Sequence, residues 1–225
     1  SVDLVLTDLP YGTTSINWDS ILDFKKVWNE LERIIKPKTN IIFFGSQPFS
    51  SLLINSNIDW FKYELIWNKN RGVSFLTAKK RPLQKHETIY VFSKGKHFYN
   101  YEEAKTLGHK PTKRGIYNVD KDYVKIKTNI HKNDGERYMT TVLDYNVSSY
   151  KKQTSHPFEK PIDLSEHLVK AYSNPEDLVL DPYSGSGNIC VAIRNCNRNF
   201  IGIENNEKYY NESIQNLKKF RSEWW

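Results

Sequence analysis

The sequence predicts an α/β fold, a doubly wound and mostly parallel sheet with helices on both faces. Three observations carry that prediction. Short apolar runs of strand length, such as Val2–Leu6 and Asn40–Gly45, alternate with segments whose apolar residues recur at three- and four-residue steps. Two strands end in acidic turns, Asp8-Leu9-Pro10-Tyr11-Gly12 and Asp181-Pro182-Tyr183-Ser184-Gly185-Ser186-Gly187. Open α/β sheets bind ligands at such carboxyl ends. The third is length: 225 residues bury one sizeable core with room for a small insertion.

Val2, Leu4, Val5 and Leu6 form a strand buried on both faces. Pro10 then fixes its own backbone and pushes Leu9 towards an extended conformation, while Gly12 permits a sharp exit. An acid, Asp8, and an exposed aromatic, Tyr11, are thereby presented on stiff backbone. Asp19 to Ile35 follows as a helix, its apolar side running through Ile21, Phe24, Val27, Trp28 and Leu31, with Pro37 beyond its end. Asn40–Gly45 is a second buried strand, Phe49–Ile54 a short helix, and Phe61–Trp67 and Glu87–Phe92 two further strands. Between the last two, residues 69–85 carry Arg71, Lys79, Lys80, Arg81 and Lys85 as a basic loop.

From Ser93 to Ser155 the periodicity disappears over a length no ordinary loop needs, which predicts an inserted, substrate-facing segment. The α/β pattern then resumes with a helix at Pro161–Tyr172, a strand at Asp177–Asp181 and a helix at Gly187–Cys196. A strand at Asn199–Glu204 and a helix at Asn206–Phe220 complete it. The predicted organisation is a first half at 1–92, an insertion at 93–155 and a second half at 156–225.

Charge follows the same division. Residues 62–155 hold 20 basic and 9 acidic side chains, a net +11, whereas 1–61 and 156–225 are each −2. A basic middle between acidic flanks is the footprint of a polyanion-binding face, although a solvated lysine-rich surface would look similar. Lys79, Lys80, Lys110 and Lys113 are the candidate phosphate contacts. Arg71, Arg81, Arg114 and Arg137 are candidates for reading base edges, with Arg114 the first to test, because the guanidinium fork pairs with guanine bidentately. The two cysteines, Cys190 and Cys196, lie too close together in one helix for a disulfide framework, and no zinc spacing occurs. With no apolar run of membrane-spanning length and no signal peptide, the expectation is a cytoplasmic protein.

The second acidic turn sits between a strand and a helix. Gly185 and Gly187 let the backbone pass close to a ligand at the helix amino terminus. Glu204, ending the next strand, can accept both hydroxyls of a ribose, as in Rossmann-type nucleotide sites. A dinucleotide site would place a third glycine where Cys190 stands, and a phosphate loop would need Gly-Lys-Ser or Gly-Lys-Thr, which is absent. Asp181 would repel a pyrophosphate but suits the positive end of a methionine-like group. A nucleoside without phosphates fits best, S-adenosyl-L-methionine being the common case.

Here the chain resembles the exocyclic amino-group DNA methyltransferases, in the permuted motif order called the beta class. Asp8-Leu9-Pro10-Tyr11 resembles that family's catalytic Asp-Pro-Pro-Tyr, with Leu9 in place of the first proline. Phe44-Gly45-Ser46-Gln47-Pro48-Phe49 and Trp67-Asn68-Lys69 are similar to further family segments. His156-Pro157-Phe158-Glu159-Lys160-Pro161 is similar to the family's His-Pro-Thr-Gln-Lys-Pro, and Asp181 to Gly187 with Glu204 to its cofactor motifs, Tyr183 replacing the usual Phe. The resemblance covers nearly everything outside 93–155. It implies a Rossmann-like methyltransferase fold with Asp8, Leu9, Pro10 and Tyr11 as the catalytic group. It also implies S-adenosylmethionine held by Asp181, Tyr183, Ser184, Gly185, Gly187 and Glu204, with Lys160 on its carboxylate.

The implied chemistry is methylation of the adenine N6 amino group in double-stranded DNA. Hydrogen bonds from that group to Asp8 and to the Leu9 carbonyl would free its lone pair, and Tyr11 would stack on the flipped base. Cytosine N4 is the alternative within the class, and a non-catalytic DNA-binding module the alternative outside it. Carbon-5 methylation is excluded, since neither cysteine stands near the catalytic strand. Phe44 and Trp67 read as core aromatics, and His86 and His156 as structural. A homodimer and a cognate restriction endonuclease are both compatible with the resemblance. The family usually has an upstream strand with an acid beside the cofactor adenine; a chain starting at Ser1 is therefore expected to be a fragment with a weakened cofactor pocket.

Overall fold

The computed structural model describes residues 1–11, 22–110, 112–113, 132–133, 135–147 and 159–219. Gly12, the helix start at Asp19, Arg114, His156 to Phe158 and Phe220 lie outside the described residues, as does the side chain of Lys113. β1 (Val2–Thr7) leads to α1 (Phe24–Ile34), β2 (Ile35–Gly45), α2 (Phe49–Ser56), β3 (Phe61–Val73) and β4 (Gln84–Phe92). The short strands β5 (Thr112–Lys113), β6 (Lys132–Asn133) and β7 (Val142–Tyr145) follow. Then come α3 (Ile162–Tyr172), β8 (Leu178–Asp181), α4 (Asn188–Asn195), β9 (Asn199–Gly202) and α5 (Glu207–Lys219). Among the described residues no helix is long and apolar enough to cross a membrane.

Seven of these strands make one sheet in the order β7-β3-β4-β2-β1-β8-β9. Every neighbouring pair is parallel except those involving β4, which runs against both β2 and β3. The chain leaves β1 towards β2 on one side, and β8 continues to β9 on the other. The crevice where strand order reverses therefore opens beside β1 and β8, at their carboxyl ends.

Strand alternation sorts the core into two layers. Leu4 and Leu6 of β1, Ile42 and Phe44 of β2, Leu65 and Trp67 of β3, and Ile89 and Val91 of β4 face α3 and α4. Val5, Ile41, Phe43, Tyr90 and Phe92 face the opposite layer, where Trp28 and Leu31 of α1 and Phe49 and Leu53 of α2 cover them. α1 starts where Asp23 caps it, its carboxylate accepting the Lys25 and Lys26 amides.

Several boundaries differ from the sequence expectation. α1 starts at Phe24 rather than Asp19, since Asp23 caps it, and β2 starts at Ile35 rather than Asn40, with Pro37 inside it. Residues 69–85 are not simply a loop: β3 and β4 extend through them as a hairpin, paired as far as Val73 with Gln84. The segment 93–155 is not wholly an insertion either. β7 adds to the main sheet beside β3, and Ala104 and Leu143 belong to the core. A four-residue edge strand that buries only Leu143 is too short to carry a periodic signal.

Phe43 sits edge-on to Trp28 and Phe92, with ring centroids 5.6 and 6.0 Å away, and is almost wholly buried. Replacing Phe43 with Ala is expected to lower unfolding free energy by about 3–5 kcal/mol through loss of contacts and an unfilled cavity. Urea denaturation followed by far-UV circular dichroism measures it; a loss below 1 kcal/mol, the scale of a mild core swap, would mean this aromatic layer is not close-packed.

Candidate active site

The alternation that builds the α3-facing core runs on into charge at the carboxyl edge. Leu4 and Leu6 are followed by Asp8, Leu65 and Trp67 by Lys69, and on the reversed strand Val91 and Ile89 are preceded by Glu87. Lys160, just before α3, enters the same layer. Its Nζ lies 2.5 Å from Asp8 Oδ2 and 3.1 Å from Glu87 Oε1, and 5.1 Å from the centre of the Phe44 ring. Lys69 pairs with the other Glu87 oxygen at 2.9 Å and lies over the Trp67 ring at 4.6 Å. Tyr11 closes the cluster: its single hydroxyl proton faces Asp8 Oδ1 at 2.7 Å and Glu87 Oε1 at 2.8 Å. Both lysines and Glu87 are buried.

Position within the cluster sets the ionisation of each group. For Glu87, burial opposes the charge, but Lys160 and Lys69 together outweigh it and hold the carboxyl at about 2. Asp8 has one lysine and a neighbouring carboxylate, so burial prevails and its pKa is raised. Burial works against the Lys160 ammonium, yet Asp8 and Glu87 overcome it and raise its pKa. The Tyr11 hydroxyl is pushed well up, by burial first and then by the two adjacent negative charges.

Across the crevice, Asp181 ends β8 and is fully buried. Its Oδ1 accepts the Thr7 hydroxyl at 2.7 Å and the Tyr183 amide at 3.3 Å, which ties β1 to the glycine turn. Oδ2 is buried and accepts no hydrogen bond among the described residues, and neither does Glu159 Oε1 next to Lys160. Burial raises the Asp181 carboxyl to about 7. Glu204 clamps the turn, Oε2 accepting the Gly185 amide at 2.9 Å and Oε1 the Asn206 amide at 2.7 Å. Each carboxylate oxygen has a second lone pair, so both can still accept a ribose hydroxyl. Ser184 donates its amide to the Ile203 carbonyl, holding the turn against the end of β9. Tyr183 stands partly exposed at the rim. Two unpartnered buried acid oxygens beside this turn fit a ligand that brings positive charge, as the amino and sulfonium groups of S-adenosylmethionine would.

Several expected roles look different in this geometry. Lys160 is engaged with Asp8 and Glu87 rather than turned to the glycine turn. Tyr11 is not an exposed aromatic: its ring stacks on Phe49, centroids 4.8 Å apart, and the Lys160 ammonium lies 5.8 Å from its centre. Leu9 buries its side chain against the aromatic layer, which accounts for a leucine where the family has proline. Gly187 serves packing as much as ligand approach, because its φ is +84° and an added Cβ would lie 2.8 Å from Ser213 Cβ. The missing third glycine is also explained. Cys190 packs its sulfur where Gly202 of β9 leaves room, an added Cβ there lying 2.7 Å from Sγ, so the close helix–strand contact takes its glycine from the strand. Burial raises both cysteine thiols, leaving neither as a nucleophile. Sequence places Glu87 only at the start of a strand and Glu159 only within the segment from His156 to Pro161, and it gives Thr7 no role.

Arg71, Lys79, Lys80 and Arg81 are exposed together on the β3–β4 hairpin, whereas exposed Lys110 lies on a different segment, its carbonyl accepting from Arg137.

Lys160→Met would leave two neighbouring carboxylates without their shared cation. The expected cost is about 3 kcal/mol at neutral pH. A carboxyl held low contributes stability fully present above its ordinary value of 4.5 and lost as pH falls towards about 2. The gap between wild type and variant is therefore expected to narrow as pH falls below about 4.5, where Glu87 protonates more readily in the variant. Urea melts across that range test this; a pH-independent gap would mean the loss is one of packing alone.

The sequence profile of the DNA methylase family for amino-group N6 and N4 methylation matches residues 2–215. A type II methyltransferase of Moraxella bovis, M1.MboII, is 30% identical over 232 residues, covering 95% of this chain and 88% of that protein. The DNA adenine methyltransferase YhdJ of Escherichia coli (strain K12) is 27% identical over 236 residues, 96% of this chain and 76% of the relative. Among solved structures, the PvuII DNA methyltransferase (cytosine-N4-specific) superposes with a TM-score of 0.67 at 15% identity, over 99% of this chain and 85% of that one, a likeness of fold. With residues 2–215 matched, from the start of β1 into α5, the chain belongs to the N6/N4 DNA methylase family.

Proposed function

We propose that this chain transfers a methyl group from S-adenosylmethionine to the N6 amino group of adenine in double-stranded DNA, after the base has left the stack. One observation carries the proposal. Asp8 and Asp181 stand at the ends of adjacent parallel strands, linked by the hydrogen bond from Thr7 to Asp181, which would set an amine-binding acid beside a cation-binding one. When bound, S-adenosylmethionine supplies an electrophilic methyl on a sulfonium centre.

The residues do the rest. Asp181 Oδ2 and Glu159 would receive the positive end of the cofactor, Glu204 its ribose, and the Gly185–Gly187 turn its close backbone approach. Asp8 would accept a hydrogen bond from the amino group, sharpening the nitrogen lone pair towards the methyl. Its raised pKa suits it to take the proton that leaves the nitrogen afterwards. Tyr11 would offer the ring face away from Phe49 to the base. Adenine is favoured by an acid, rather than serine, at the head of the catalytic motif, and the name of YhdJ supports it. The likeness to a cytosine-N4-specific fold keeps cytosine N4 as the second reading.

Asp8→Ala is expected to abolish tritium transfer from labelled cofactor to DNA while leaving a folded protein, its melting temperature lowered by the loss of one Lys160 partner, and preserving cofactor affinity. Digesting the wild-type product to nucleosides should yield labelled N6-methyladenine. Labelled N4-methylcytosine would move the function to the second reading, and loss of folding in step with activity would make Asp8 structural. Asp181 also predicts a proton balance. With its carboxyl at about 7, it is partly protonated near neutral pH, and a positive ligand group pulls that pKa down. Cofactor binding should release a fraction of a proton near pH 7 and less as pH rises, with Asp181→Asn removing the effect. Calorimetry in buffers of different protonation enthalpy measures it; identical heats in all buffers would disprove this role.

A further inference from the structure

We propose that Phe75 and Leu76 form a wedge that enters the DNA base stack as the target base leaves it, a role resting on the proposed DNA methylation. The two residues stand adjacent at the tip of the β3–β4 hairpin, Phe75 72% exposed and Leu76 fully exposed. Exposed apolar residues scattered singly need no explanation, but a paired bulky tip on a charged arm does. Exposed Arg71, Lys79, Lys80, Arg81 and Lys85 surround it in sequence, so the arm is complementary to a phosphate backbone on either side of an apolar point. Proteins that open or kink duplexes use this combination, with cations on the phosphates and an apolar side chain between base steps.

The tip is built, not frayed. Ser74 adopts a left-handed conformation at φ +71°, and its carbonyl accepts the Thr77 amide at 3.0 Å and hydroxyl at 2.9 Å. The Phe75 carbonyl accepts the Ala78 amide, and the Thr77 carbonyl the amides of Lys80 and Arg81. Below it, Gly72 admits Leu83 so closely that an added Cβ would lie 2.7 Å from Leu83 Cβ. This backbone holds both apolar side chains outward.

Its position relative to the catalytic cluster completes the case. Glu87, within hydrogen-bond reach of Tyr11, is three residues from Gln84, the last paired residue of β4. At about 3.3 Å per strand residue the tip begins about 10 Å beyond the cluster. A base reaching Asp8 would come from a duplex lying over this same edge of the sheet, the edge from which the hairpin extends.

The test first maps the methylated sequence on plasmid DNA and then compares two duplexes carrying it. In one the target is paired, and in the other it faces an abasic site and is already unstacked. The double substitution F75A/L76A is expected to lower kcat/KM by ~10-fold or more on the paired duplex and to be restored on the abasic one, since the cost of opening has been removed. L76M should retain activity on both. Equal loss on both substrates, or none on the paired one, would overturn the wedge. A second arm does not need methyl transfer. Phe75→Trp should add fluorescence that duplex DNA quenches by stacking, measured against the wild-type protein. Quenching without any methylation would refute the activity and retain the wedge; methylation without quenching would do the reverse.

Discussion

Three carboxylates, Asp8, Glu87 and Asp181, converge on the carboxyl edge of the central strands, and the Lys160 ammonium makes that concentration tolerable. It lies between Asp8 and Glu87, within 2.5 Å of one and 3.1 Å of the other. Without a buried cation, two such acids could not both stay ionised, and one would take up a proton. Lys69 supplies a second positive charge on the far side of Glu87, so Glu87 is strongly ionised while Asp8, with one lysine, is held less firmly. This asymmetry has a chemical use. Asp8, proposed to meet a substrate amine, keeps an affinity for protons, and Glu87, which pairs with both lysines, does not. Asp181 lies apart from the lysines and is left with an unpartnered oxygen, the state expected of an acid whose counter-charge arrives with a ligand.

The cluster costs the fold little because it obeys the strand period. Leu4, Leu6 and Asp8 point the same way, as do Leu65, Trp67 and Lys69, and Val91, Ile89 and Glu87. The charged row begins where the apolar rows end, so it continues the alternation that packs the core. Lys160 reaches the row because α3 packs across the same face, and Asn188 at the start of α4 donates to the Lys160 carbonyl and the Glu159 carboxylate. The lysine is thus placed by two helices that have their own reasons, in Leu164, Leu168, Ile189 and Ile193, to lie there.

What could be read from sequence was what local chemistry encodes. The strand before Asp8, the glycine turn after Asp181 and the alternation of helices and strands all leave their signals within about a dozen residues, the range over which periodicity acts. The unread parts depend on pairing over long separations. Lys160 meets Asp8 across 152 positions, and Tyr11 meets Glu87 across 76. Nothing within either neighbourhood announces the partner, so Lys160 invited a cofactor contact and Glu87 passed as one acid in a strand. β7 escaped notice for a similar reason, since its ladder to β3 spans most of the basic middle segment. The exchange of a glycine between Cys190 and Gly202 became legible only when α4 was seen lying on β9.

The β3–β4 hairpin joins the charge cluster to the exposed tip. Its base carries Lys69 and Glu87, which set the electrostatics around Asp8, and its tip carries the exposed apolar pair and the basic residues. The ladder between them is continuous from Phe61 to Asn68 on β3, apart from one irregularity near its start, and closes again at Val73 with Gln84. A second irregularity lies between Asn68 and Val73, the interval that separates the catalytic end from the tip. A bulge there changes the local twist of the arm without altering the pairing that fixes Glu87. The tip can therefore be aimed by its own segment while the charge cluster stays anchored to the sheet.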